Sequence, residues 1–282
     1  MGDRRRVLVT GASTGIGRAS VDALVAAGFS VLATVRRDED AEALRQAHGA
    51  AVTTLMMDLL DDDSVRAMGA EVVAGGSLFA VVNNAGAAFP GPLEYLPIDL
   101  FRRQLDVNLT GQLLVTQVVL PGLRRAAEDS GDARIVVIGS IGGRVTGPIL
   151  GAYQTAKHGL VGLTGALRAE LAPFGIKVVL LEPGSIATPI WGKGTSLGEE
   201  LRTQNPEGYA RYATQLRGSA QMAERGMQRG LDPAVVAAVI VKSLLEKNPA
   251  PRRTVGRDGK VVAVLTRLLP FRVVYRMTRG SS

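Results

Sequence analysis

The 282-residue sequence contains no cysteine. That excludes disulfides and every cysteine-ligated metal site. Histidine is nearly absent too: His48 and His158 cannot build a zinc site unaided, so no metal is expected. Long apolar runs are missing as well. The run after the first arginines, Val7-Leu8-Val9, is too short for the core of a signal peptide. No stretch approaches the length of a membrane span. The expectation is a soluble, cytoplasmic protein.

The excess of basic charge sits in one place. From Ala250 onward there are eight arginines and lysines against the single Asp258, which accounts for the whole net charge of +7. The first 249 residues therefore balance to zero. The basic charge belongs to a C-terminal extension, 250–282, and not to the body, 1–249. No aromatic–basic stacking pattern accompanies that charge, so nucleic acid is not expected as a partner.

What is present is a hydrophobic fraction of 46%, enough for a proper core. Strand and helix signals alternate along it. Arg6-Val7-Leu8-Val9-Thr10 reads as a buried strand. Thr10-Gly11-Ala12-Ser13-Thr14-Gly15-Ile16-Gly17 follows and leads into a helix that stops at Gly28. A strand, a glycine-rich turn and a helix make a phosphate cradle for a dinucleotide: the backbone approaches the pyrophosphate and the helix N-terminus faces its charge.

Ser30–Val35 reads as the second strand and ends in Arg36-Arg37. An acid near this point would suit the ribose of NAD. A guanidinium suits a 2′-phosphate, which favours NADP(H) over NAD(H), although Asp38 and Glu39 follow closely. Residues 51–57 form a third strand ending at Asp58, which either meets an adenine amino group or caps the next helix. Residues 78–82 form a fourth, followed by Asn83-Asn84-Ala85-Gly86. Residues 99–125 read as one long helix containing Asn108. Residues 133–138 form a fifth strand with Ser140 at its tip, and 176–181 a sixth, followed by Glu182-Pro183-Gly184-Ser185-Ile186-Ala187-Thr188. This predicts an α/β fold: a single-domain, Rossmann-like, doubly wound parallel sheet with helices on both faces. Ligands of such sheets bind at the strand carboxyl ends, where the glycine turn, Asp58, Asn83, Ser140 and Pro183 all fall.

Tyr153 and Lys157 stand at i and i+4, one turn apart on a helix face. An ammonium beside a phenol favours the phenolate, and such a phenol can exchange a proton with an oxygen whose carbon exchanges a hydride. From Thr188 to Leu231 strand signals stop and glycine recurs. This stretch, which carries the single Trp191, reads as a partly helical, mobile lid. Asp232-Pro233 caps a final helix of the body that runs to Lys247.

In this order and spacing, Thr10-Gly11-x-x-x-Gly15-x-Gly17, Asp58, Asn83-Asn84-Ala85-Gly86, Asn108, Ser140, Tyr153-x-x-x-Lys157 and Pro183-Gly184 resemble the short-chain dehydrogenases/reductases from about Arg5 to Lys247. Ala33-Thr34-Val35-Arg36 and the extended C-terminus look most like the branch of 17β-hydroxysteroid and retinol dehydrogenases. The resemblance implies a catalytic set of Asn108, Ser140, Tyr153 and Lys157. Tyr153 would be the general acid or base, Lys157 would lower its pKa and hold the nicotinamide ribose, Ser140 would hold the substrate oxygen, and Asn108 would position a relay water. It implies a cofactor wall of Gly11, Ser13, Thr14, Gly15, Ile16, Gly17, Arg36, Arg37, Asp58, Leu59, Asn84, Ala85, Gly86, Tyr153, Lys157, Pro183, Gly184, Ile186 and Thr188. Ser13 and Arg36 would bind the 2′-phosphate and Thr188 the nicotinamide amide. A homodimer or homotetramer is the family expectation.

The implied activity is an NADP(H)-dependent oxidoreductase that interconverts a carbonyl, ketone or aldehyde, and an alcohol on a lipophilic small molecule. The alternative is a non-catalytic dinucleotide-binding sensor on the same fold; the intact four-residue set argues against it. An isomerase or lyase could also use the scaffold. In the extension, apolar runs alternate with arginines and Pro270 splits them into two segments. They pack on the body, on a partner subunit, or on an anionic membrane surface.

Overall fold

The computed structural model describes residues 5–278, with the side chains of residues 191–197 left aside. The Trp191 side chain therefore lies outside the described residues. Seven parallel strands form one sheet: β1 Arg6–Val9, β2 Ser30–Val35, β3 Val52–Met56, β4 Ala80–Asn83, β5 Ala133–Ile138, β6 Ile176–Pro183 and β7 Arg252–Val255. Their spatial order is β3-β2-β1-β4-β5-β6-β7. The chain winds outward from β1 to β3, then returns to place β4 on the other side of β1. A crevice opens at that switch, between the carboxyl ends of β1 and β4.

Helices α1 Gly15–Ala26, α2 Asp38–His48, α3 Asp62–Ala74, α4 Ile98–Leu105, α5 Gly111–Ser130 and α6 Gly151–Leu171 link the first six strands. α7 Ile190–Gln204, α8 Pro206–Ala210, α9 Ala213–Arg229 and α10 Pro233–Leu245 lie between β6 and β7. α11 Arg257–Leu268 and α12 Phe271–Thr278 follow β7.

Strand alternation sorts the core onto two faces. Val7, Val9, Val31, Ala33, Val136 and Ile138 pack on one side, with Val236 and Ile240 of α10. Leu8, Leu32, Ile135 and Val137 pack on the other, with Val115 and Val119 of α5 and Leu160 of α6. Both faces are covered, so the strands are near-continuous apolar runs.

Three features differ from the sequence reading. The helix expected over 99–125 is broken by a π-helical turn, Asp106–Thr110, between α4 and α5. The extra residue in that turn carries Asn108, whose amide is fully buried on the Ala87 backbone. The stretch expected to be a partly helical lid is more regular than that, with three helices, α7 to α9. Leu201 and Tyr209 from it are buried in a small cluster with Leu96 and Ala152. The extension begins with a strand that the sequence reading missed. β7 pairs in parallel with the end of β6, which seats this part of the extension on the body.

That strand is held by charge. Glu182 of β6 has no exposed surface. Its carboxylate accepts from Arg252 Nε at 2.7 Å and from Arg144 Nε and Nη2 at 2.9 and 2.6 Å. A second Arg252 nitrogen, Nη2, bonds its other oxygen. Asp258, just after β7, accepts from the Ser185 N–H at 2.7 Å. The extension thus grips both ends of the Pro183-Gly184 loop. Removing one partner of a buried pair strands the other charge. Glu182→Ala should therefore cost about 3–5 kcal/mol in denaturant unfolding, and a loss under about 1 kcal/mol would put the pair in the class of exposed ion pairs.

Candidate active site

The first turn of the site is a knot around Thr10. Its Oγ1 accepts from the Asn84 and Ala85 N–H groups at 2.9 and 3.0 Å. Asn84 Nδ2 donates back to the Thr10 and Gly11 carbonyls at 2.8 and 3.2 Å. Thr34 Oγ1 accepts from the Gly11 N–H at 3.1 Å. Gly11 and Gly15 sit at φ +66° and +55°, a region that favours glycine. At Gly17 a Cβ would lie 2.0 Å from the Gly11 carbonyl oxygen, so the turn and α1 pack backbone on backbone. Thr14 precedes α1 without a side-chain capping bond, which leaves first-turn N–H groups for another acceptor. Uncapped donors at a glycine-lined helix start fit an anionic pyrophosphate.

The turn opens into a cleft of about 480 Å³. Gly11, Ser13, Thr14, Gly15, Ile16, Arg36, Asp58, Leu59, Asn84, Ala85 and Gly86 line one part of it. Asn108, Ser140, Tyr153, Lys157, Pro183, Gly184, Ile186 and Thr188 line the rest. Gly17 and Arg37 are the two expected residues outside the lining. Gly17 acts from behind, through the close packing just described. Arg37 is paired instead: its Nε and Nη2 fork onto Asp40, each at 2.9 Å. Arg36 makes no ion pair among the described residues and lines the cleft. Of the two readings of Asp58, helix capping is excluded. Asp61, not Asp58, caps α3, accepting from Asp63 and Ser64 N–H. Asp58 accepts from Leu60 N–H and stays in the cleft wall.

Ser140 and Tyr153 meet across the loop between β5 and α6, where their hydroxyls are hydrogen-bonded. Ser140 Oγ also accepts from Gly142 N–H at 3.0 Å. The loop carries strain at Ile149, a β-branched residue at φ +71°, whose carbonyl accepts from Gly91 N–H at 2.8 Å. Lys157 Nζ donates to the Ile138 carbonyl at 2.9 Å and lies 5.7 Å from the centre of the Tyr153 ring.

The electrostatics differ from the expectation of a lowered phenol pKa. Burial raises Tyr153 above the usual tyrosine value, and the Ser140 hydrogen bond offsets only part of this. Burial also lowers Lys157, to about 8. Its ammonium is turned to the Ile138 carbonyl, and desolvation dominates both groups.

Several contributors escaped the sequence reading. Gln104 Nε2 donates to the Ala87 carbonyl, while its Oε1 accepts from the Phe89 N–H. Gln112 Nε2 donates to Ala85 O. These buried amides fix the loop after β4. Phe89, Leu100, Arg103, Val107 and Ile190 line the cleft beyond the expected set. A polar residue at a buried helical position was the only available signal for the two glutamines.

Comparison with known proteins agrees with this geometry. The family model for short chain dehydrogenase matches residues 5–196. The NADPH-dependent 3-dehydrocapnine reductase of Ornithobacterium rhinotracheale is 33% identical over 273 residues, covering 96% of this chain and 94% of that protein. The short-chain dehydrogenase/reductase family 9C member 7 of Homo sapiens is 32% identical, covering 94% and 85%. A solved short-chain dehydrogenase from Streptomyces avermitilis superposes with a TM-score of 0.75 at 28% identity, covering 99% of this chain and all of that one. The chain belongs to the short-chain dehydrogenase family. It is an oxidoreductase of that family with a nucleotide-binding Rossmann-like fold.

The buried lysine makes stability depend on pH. Its ordinary value is 10.5 and its folded value about 8, so between these the unfolded chain binds more protons. Stability attributable to this group therefore rises from about pH 8 to 10.5, and the penalty is full below 8. Lys157→Met should exceed the wild type in unfolding free energy at pH 7, with the gap narrowing steadily above pH 8. A gap independent of pH would show that the lysine is not desolvated.

Proposed function

We propose that the protein is an NADP(H)-dependent oxidoreductase interconverting a ketone or aldehyde and the corresponding alcohol, on a lipophilic small molecule. The observation that carries this reading is that Ser140, Tyr153 and Lys157 line the same cleft as the glycine turn. The NADPH-dependent relative and the unpaired Arg36 support the choice of cofactor. Phe89, Leu100 and Ile190 support an apolar substrate.

Ser13 and Arg36 hold the 2′-phosphate, Asp58 and Leu59 the adenine side, and Thr188 the nicotinamide amide. When bound, NADPH supplies the hydride. Ser140 Oγ steadies the substrate oxygen. Tyr153 Oη gives its proton to that oxygen as the carbonyl carbon gains the hydride, leaving an alcohol and a phenolate; in oxidation the phenolate takes the proton back. Lys157 stabilises the phenolate and returns a proton to it. With a pKa near 8, its ammonium exchanges protons close to neutral pH. Asn108 uses one lone pair and one N–H on Ala87, which leaves one of each for a relay water. A dimer or tetramer built on the long helices is the assembly that goes with the family.

Tyr153→Phe should lower kcat by about a hundredfold or more while NADPH binding stays within about twofold. Near-normal turnover in that variant would remove the mechanism. Arg36→Ala should weaken NADPH by roughly tenfold to a hundredfold, the value of a charge-assisted contact, and leave NADH nearly unchanged. Equal losses for both would mean that Arg36 does not read the 2′-phosphate.

A further inference from the structure

Exposed apolar side chains are concentrated at one place. Of seventeen large exposed hydrophobics among the described residues, seven fall between 261 and 277. Val261, Val264 and Leu268, at i, i+3 and i+7, form a stripe on α11. Phe271 and Tyr275, at i and i+4, stack with ring centres 6.2 Å apart on α12. Leu268 and Phe271, on either side of the break at Pro270, are 72% and 78% exposed. A concentration of this kind marks an interaction surface rather than ordinary surface scatter.

The charge around it has one sign. From Gly259 to Thr278 the sequence holds Lys260, Arg267, Arg272 and Arg276 and no acid. None of these four makes an ion pair among the described residues, and all are exposed. The acid that precedes this stretch in the sequence, Asp258, accepts from the Ser185 N–H. A second copy of the chain fits poorly here. A two-fold contact would set the same four cations against themselves with no acid to pair them. No helix among the described residues is long and apolar enough to cross a membrane. Short helices with aromatic and aliphatic side chains beside unpaired arginines match the interface of an anionic bilayer: apolar groups enter the acyl boundary and the cations meet the headgroups.

We infer that α11 and α12 dock this protein on an anionic membrane surface, with Leu268, Phe271 and Tyr275 inserted and Arg267, Arg272 and Arg276 on lipid phosphates. Because β7 and Asp258 tie this element to the Pro183-Gly184 loop, docking holds the cleft close to the bilayer. The inference does not rest on the proposed reaction, and its test needs no turnover.

The full-length protein is sedimented with vesicles of phosphatidylcholine alone and with vesicles that also contain phosphatidylglycerol, at low and high salt. Binding to the anionic vesicles only, weakened by salt, is expected. Each Arg→Gln change at 267, 272 or 276 should weaken it about fivefold. Leu268→Ser with Phe271→Ser should abolish it while NADPH binding, followed by nicotinamide fluorescence, is retained. Absent binding, or equal binding to neutral vesicles, overturns the inference. So does a dimer by light scattering that the serine pair converts to monomer without any vesicle binding by the wild type.

Discussion

A buried ammonium lies at the centre of this site. Lys157 is held under the cleft by one carbonyl, that of Ile138, at the end of β5. Taking that charge out of water lowers its pKa to about 8, and the same dry surroundings push the neighbouring phenol up. Neither group is set by the other alone. Both are set by how completely the strand ends, α6 and the Ser140 loop exclude water. The sheet exists to hold those strand ends in register, and the hydrogen-bond knot at Thr10 and Asn84 extends that order into the glycine turn.

The C-terminal extension belongs to the same system. Glu182 draws Arg144, on the loop after Ser140, and Arg252, on β7, onto one buried carboxylate. The Ser140 loop, the Pro183-Gly184 loop and the last strand therefore cannot shift independently. Asp258, in the first turn of α11, holds the Ser185 N–H next to the cleft wall. A segment that looks like an appendage in the sequence is thus a structural neighbour of the chemistry.

Much of this was legible in the sequence, for a physical reason. A parallel sheet covered on both faces demands apolar strands, and it brings every motif that follows a strand to one edge. That is why residues from Gly11 to Thr188 converge. What was hidden depends on pairing at long range. β7 begins with two arginines and gives no strand signal, because Glu182 and Glu246, which neutralise them, lie elsewhere in the chain. Arg37 reads as part of the cofactor wall, but it pairs with Asp40 and lies outside the cleft lining. The π turn at Asn108 leaves no periodic trace. The phenol pKa was misjudged because i, i+4 spacing reports proximity and says nothing of desolvation.

The central claim is that Tyr153 is the acid–base group, raised by burial on its own and brought into working range by positive charge in the cleft. The direct measurement is the ultraviolet titration of its phenol, isolated as the difference between wild type and Tyr153→Phe, without and with saturating NADP⁺. The account predicts a transition above the ordinary tyrosine range in the free protein and a clear downward shift with the oxidised cofactor, whose ring is cationic. A transition that stays where it was on binding would contradict it.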